Sequence, residues 1–159
     1  MIYIKKKLEK LIRECDRHLF RIKRAGKNME PFMPLNVKRY KNLTETEIEH
    51  IDQFIFRFTK LQDGMGNKLF RALLMALGEE NVKNMPFIDM LNRLEKLNVI
   101  DSAKDWMVLR EIRNQLAHEY EDDENTYAYI NLVYEKSRTL ETIYMHVKNY
   151  MIKRDMVSD

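Results

Sequence analysis

The sequence predicts an all-α protein, a bundle of about five helices, and three observations carry that expectation. Apolar residues recur at spacings of three and four through most of the chain, which is the period of one helical face. Only 4 Gly and 3 Pro interrupt 159 residues, so long helices have few breaks. No segment sustains the apolar–polar alternation of a strand, and no internal repeat is evident. Hydrophobic residues make up 45% of the chain, enough for one core, and the length suits a single domain over residues 1–159.

The first helix is expected over Ile2 to Ala25. Ile4, Leu8, Leu11, Ile12, Cys15, Leu19 and Ile22 form its stripe, and Gly26 serves as its stop. Residues 26–43 read as a loop, because Pro31 and Pro34 forbid a regular helix there. Phe32 and Met33 are the side chains expected to pin it to the core. The bundle proper spans 44–154. Its first helix opens on a capping box, Thr44 to Glu47. The stripe Ile48, Ile51, Ile55, Phe58, Leu61, Met65, Leu69, Leu73 and Ala76 then runs to Gly78. Such a helix would be roughly 50 Å long at a rise of about 1.5 Å per residue. Gly64 and Gly66 fall inside it, which predicts a bend or a close helix contact. The run Asp63 to Lys68 is no phosphate loop, since it lacks both the glycine–lysine spacing and a flanking strand.

Pro86 opens a shorter helix with the stripe Ile88, Leu91, Leu94 and Leu97. Ser102 starts the next, with Asp105 three positions on as a capping partner. A last long helix spans about 125–154, with Ile130, Val133, Ser137, Leu140, Tyr144, Val147 and Met151 inward. Tyr127, Tyr129, Tyr134, Tyr144 and Tyr150 read as a packing series along it. The lone Trp106 is expected to pack in the core or at an interface, and the 11 Met suit an adaptable helical interior.

Composition narrows the function classes. The single Cys15 rules out an internal disulfide and a Cys-based metal cluster, and its spacing predicts a buried thiol. No apolar run is long enough to cross a membrane, and the N-terminus has no hydrophobic leader with a cleavage site. A soluble, cytoplasmic protein without a membrane partner is the expectation. The net charge of +3 hides an asymmetry. Residues 1–41 hold 13 Lys and Arg against 4 Asp and Glu, whereas the remainder holds 15 against 21. That basic N-terminal segment either steers RNA or is the solvated face of an amphipathic helix. The acidic run from Glu121 to Glu124 reads as a surface loop.

The stretch 105–120, DWMVLREIRNQLAHEY, concentrates the chemistry. Leu109, Ile112 and Leu116 make an apolar seam. Arg113, Asn114, His118 and Tyr120 make a polar strip, with Asn114 and His118 one turn apart. A guanidinium, an amide, an imidazole and a phenol on one helix are suited to holding and cleaving a phosphodiester, or else form a solvated face. His118 titrates near neutral pH and can take or give a proton. Arg113 can hold phosphate oxygens with its planar fork, and Asn114 can orient either group. RNA supplies its own nucleophile in the 2′-hydroxyl. No carboxylate pair or His cluster has metal-ligand spacing, so a metal-independent route with no cofactor is expected. His18, His50 and His146 have no partner spacing and read as core or surface residues. Five residues turn a helix through about 500°, so Arg113 and His118 lie some 140° apart around the axis. A substrate touching both must lie in a groove.

The segment RNQLAHEY matches Arg-x4-His-x-Tyr and resembles the signature of HEPN-domain ribonucleases, most closely the HepT toxins. Arg113, Asn114, His118 and Tyr120 carry the resemblance, with looser similarity over Gln62–Glu80. A second Arg-x4-His, Arg13 to His18, lacks the Asn after the Arg and has Phe20 in place of the Tyr. The resemblance implies a HEPN-like bundle, a two-fold homodimer with two motifs facing one cleft, and an endoribonuclease leaving a 2′,3′-cyclic phosphate and a 5′-hydroxyl. It implies Arg113, Asn114 and His118 as catalytic residues. It also implies a cognate MntA-like nucleotidyltransferase antitoxin that adenylylates Tyr120, although Tyr120 could instead orient His118 or line the interface. The alternatives are a non-catalytic HEPN substrate-binding subunit of a minimal nucleotidyltransferase and a structural bundle with no nucleic-acid role.

Overall fold

The computed structural model describes residues 2–119 and 125–159, apart from the side chains of 117–119. All regular structure in them is helical: α1 (Ile2–Met29), α2 (Val37–Lys41), α3 (Glu45–Asp63), a π-helical segment (Gly64–Leu69), α4 (Phe70–Ala76), α5 (Phe87–Lys96), α6 (Ala103–Glu119) and α7 (Thr126–Lys153). α3, the π-helical segment and α4 follow one another without a break. Counted as one rod they make six helices, one more than expected, the addition being α2. Among the described residues there is no strand, and no helix is long and apolar enough to cross a membrane.

α1 and the rod lie antiparallel. His18 meets Arg57, Cys15 lies beside Gly64, and Gly26 lies beside Phe54. The expected stop at Gly26 is therefore corrected: the helix runs on to Met29, and the glycine serves close approach. A Cβ at Gly26 would come within 3.1 Å of the Phe54 ring. The loop expected over 26–43 is corrected as well. It shrinks to a 3-10 turn at Glu30–Phe32 and the short α2, whose start Asn36 caps by accepting the Arg39 amide. Phe32 and Leu35 are buried, and Asn131 of α7 bonds both Leu35 N and O at 2.8 Å. That amide replaces the neighbour a strand would have supplied.

The capping box forms as the sequence implies: Thr44 Oγ1 accepts the Glu47 amide at 3.1 Å and Glu47 Oε1 accepts the Thr44 amide at 2.9 Å. The rod ends past Ala76 at Gly78, whose φ of +83° requires glycine. On α5 the buried residues are Met90, Leu91 and Leu94, while Ile88 is 48% exposed and Leu97 only half-buried, so that stripe is turned from the expected one. α7 lies along α1 and buries Ile130, Val133, Leu140, Tyr144, Val147 and Met151. The Tyr144 hydroxyl donates to Asp16 (2.6 Å), and Lys148 Nζ bonds the same carboxylate at 3.0 and 3.1 Å. Burial and that carboxylate push the Tyr144 pKa up. Cys15 is buried among these helices, and burial pushes its thiol up to about 12, so it is a packing residue rather than a nucleophile.

Candidate functional site

The site begins with the spacing of apolar residues in the rod. Leu61, Met65, Leu69 and Leu73 are all fully buried and are four apart. On a plain α-helix each step of four overshoots a turn by about 40°, so the stripe would wind off the core. The wider i→i+5 turn of the π-helical segment absorbs this drift. Gly66 allows the segment to sit flat on α6. Gly66 rests on the Trp106 ring of α6, where a Cβ would be 3.2 Å away. Trp106 is itself buried and edge-on to Phe70, with ring centroids 4.8 Å apart.

This contact joins the π-helical segment to the first turn of α6, and Asp63 at the end of α3 meets Arg113. Arg113 Nε donates to Asp63 Oδ1 and Nη2 to Oδ2, both at 3.1 Å, with each side chain about a third exposed. The pair fixes the guanidinium plane, and Nη1 takes no part in it. Below them α6 is held by Leu109, Ile112 and Leu116, buried as the sequence predicts, and by the buried Trp106 and Ala103. Its start is capped twice, by Ser102 Oγ on the Asp105 amide and by Glu95 on the Ala103 amide.

Beside the pair lies a cleft of about 200 Å³. Its polar wall is Gln62, Asp63, Asn67, Arg113 and Asn114, and its apolar wall is Phe87 and Trp106. At the cleft's edge the Arg110 guanidinium lies over the Phe87 ring, 4.2 Å from its centroid. Gln62 is 4% exposed, and neither its Oε1 nor its Nε2 has a hydrogen-bond partner among the described residues. Leaving such groups unpaired costs about 1–3 kcal/mol each. Among the described residues no three His, Cys, Asp or Glu side chains gather closely enough to hold a metal ion.

Of the sequence-predicted site residues, Arg113 and Asn114 come together in this cleft. His118 belongs to the last turn of α6, but its side chain lies outside the described residues, and so does all of Tyr120. The acidic run 121–124 falls there too. Sequence reasoning missed Asp63, Gln62, Asn67 and Arg110. The signal was available in the polar pair Gln62-Asp63 set between Leu61 and Met65 and followed by two glycines.

The other Arg-x4-His is built differently. Arg13 is exposed on α1. His18 Nδ1 lies 3.0 Å from Arg57 Nη1 of α3, and burial, with Arg57 beside it, holds the imidazole below its ordinary pKa. It acts as a neutral acceptor that fastens α1 to α3.

The fold and site define an all-α bundle with a polar cleft between a π-helical segment and the helix that carries the motif. Comparison of the chain with known families, curated proteins and solved structures finds no match.

Proposed function

We propose that the protein is a metal-independent endoribonuclease of HEPN type, acting as the toxin of a toxin–antitoxin pair. The observation that carries this reading is the oriented Arg113: a bidentate carboxylate holds its guanidinium at the rim of a polar cleft, on the helix that also bears His118. In this reading His118 takes the 2′-hydroxyl proton as the oxygen attacks the adjacent phosphorus, the P–O5′ bond breaks, and the leaving 5′-oxygen takes a proton from water. The Nη1 edge of Arg113, which Asp63 does not engage, offsets the charge growing on the phosphoryl oxygens, and Asn114 orients that group. Some 140° of helix separates Arg113 from His118, so a second chain related by a two-fold axis closes the groove. Tyr120 receives an adenylyl group from a cognate nucleotidyltransferase, whose bulk and charge block RNA.

Induced expression of the wild type beside His118→Ala, both checked for solubility, tests this. The reading predicts growth arrest by the wild type alone. Arrest by both proteins, or by neither, contradicts it.

A further inference from the structure

The Gln62 amide is the one described side chain whose polar atoms are all buried and all without a partner. Arg57 and Arg93 each leave only Nε unpaired, and each bonds elsewhere, to His18 and Glu79. A lone amide in a packed wall is destabilising, and an apolar side chain of the same shape would avoid the loss. Gln62 also lines the cleft beside Arg113, so the residue that carries the unpaired donor and acceptor forms part of a cavity wall, and a turn of its side chain brings the amide to the cavity.

The rest of that wall is specific in kind. Phe87 with Arg110 above it is an aromatic face and a planar cation, the two surfaces on which unstacked bases settle. Asn67 and Asn114 add two more amides that both donate and accept. Among the described residues lining the cleft, Arg110 and Arg113 face a single carboxylate, Asp63, so this wall has cationic charge left for a phosphate. Its volume of about 200 Å³ suits one nucleobase rather than a larger ligand.

We infer that the cleft between the π-helical segment and α6 is a nucleobase-binding subsite, in which the Gln62 amide pairs with a donor–acceptor edge of an unstacked base while Arg110 and Phe87 supply the stacking surface. A glutamine amide makes two such bonds to an adenine edge, donating to one nitrogen and accepting from the exocyclic amine. The inference deepens the ribonuclease reading and rests on it for its RNA context: the subsite seats the base next to the phosphate that Arg113 holds. Binding itself is independent of cleavage.

Trp106 is the only tryptophan and lines the cleft, so its fluorescence reports occupancy. AMP, GMP, CMP and UMP are titrated separately into the full chain, with ribose 5-phosphate as the ligand that lacks a base. The inference expects saturable quenching by at least one nucleotide, tenfold or more tighter than ribose 5-phosphate. Gln62→Met, which keeps the shape and removes the amide, weakens that nucleotide at least tenfold while raising thermal stability. Equal affinity for ribose 5-phosphate and all four nucleotides overturns the inference, as does wild-type nucleotide affinity in Gln62→Met. A chain that binds nucleotide through Gln62 yet cleaves no RNA loses the ribonuclease reading alone. A chain that cleaves RNA yet binds without regard to Gln62 loses this inference alone.

Discussion

The chain contains the spacing Arg-x4-His twice, and the two copies sit in opposite surroundings. At the first, Arg13 points to solvent, and His18 is spent on a contact between α1 and α3, beside Arg57 and Lys60. At the second, Arg113 is gripped on two nitrogens by a carboxylate from another helix, next to a cleft with an aromatic wall and an unpaired amide. A spacing only places two residues on a helix. What makes one of them fit for chemistry is a partner that holds it in one orientation and a cavity that lets a ligand reach it.

The largest way to break this comparison is to remove the guanidinium from each copy in turn. Arg113→Ala is expected to lower RNA cleavage by on the order of 10²–10³-fold, and Arg113→Lys does little better because it loses the planar fork. Asp63→Asn, which loosens the same guanidinium without touching it chemically, lowers cleavage by up to about 10²-fold. Arg13→Ala leaves the rate unchanged. Equal losses at Arg13 and Arg113 in a cleavage assay would erase the distinction.

A second test acts on what assembles the cleft. Gly66→Val drives a side chain into the Trp106 ring and should cost about 1–3 kcal/mol, read as a fall in the melting temperature. Gly64 differs, since a Cβ there would meet only Cys15 Sγ at 3.6 Å, an ordinary contact. Gly64→Ala therefore gains helix propensity, up to about 1 kcal/mol, and melts no lower than the wild type. The reverse order of the two melting temperatures would contradict the packing described for the π-helical segment.

The smallest effect belongs to the first copy. His18 has its pKa lowered on folding, so its neutral form is the one the fold accommodates. The unfolded chain takes up the proton first, below about pH 6.5. Stability from this residue is fully present above that pH and declines as the pH falls through the interval down to the folded value. His18→Gln should flatten that part of the melting-temperature profile. An unchanged profile would show that the imidazole is not the group being titrated.

Much of the fold is legible in the sequence because it follows from local rules. The Thr44 box, the Ser102 cap, Pro86 at the start of α5, Gly78 past the end of α4 and the α7 stripe each depend on residues within a turn or two of one another. What escaped the sequence depends on contacts between distant segments. Gly26 reads as a stop until Phe54 is seen against it. The face of α5 is set by what it packs upon, not by its own period. The site shows the same division. Arg113 and Asn114 are visible as a motif on one helix. Asp63, fifty residues away, becomes visible only when the π-helical segment settles on Trp106 and carries it there.

The most direct test of the central claim is cleavage of a defined RNA by the purified full chain, wild type beside His118→Ala, without added metal and with the product ends identified. The account predicts fragments ending in 2′,3′-cyclic phosphate and 5′-hydroxyl from the wild type and intact RNA with the variant. Equal cleavage by both proteins, or wild-type fragments bearing a 5′-phosphate, would contradict it.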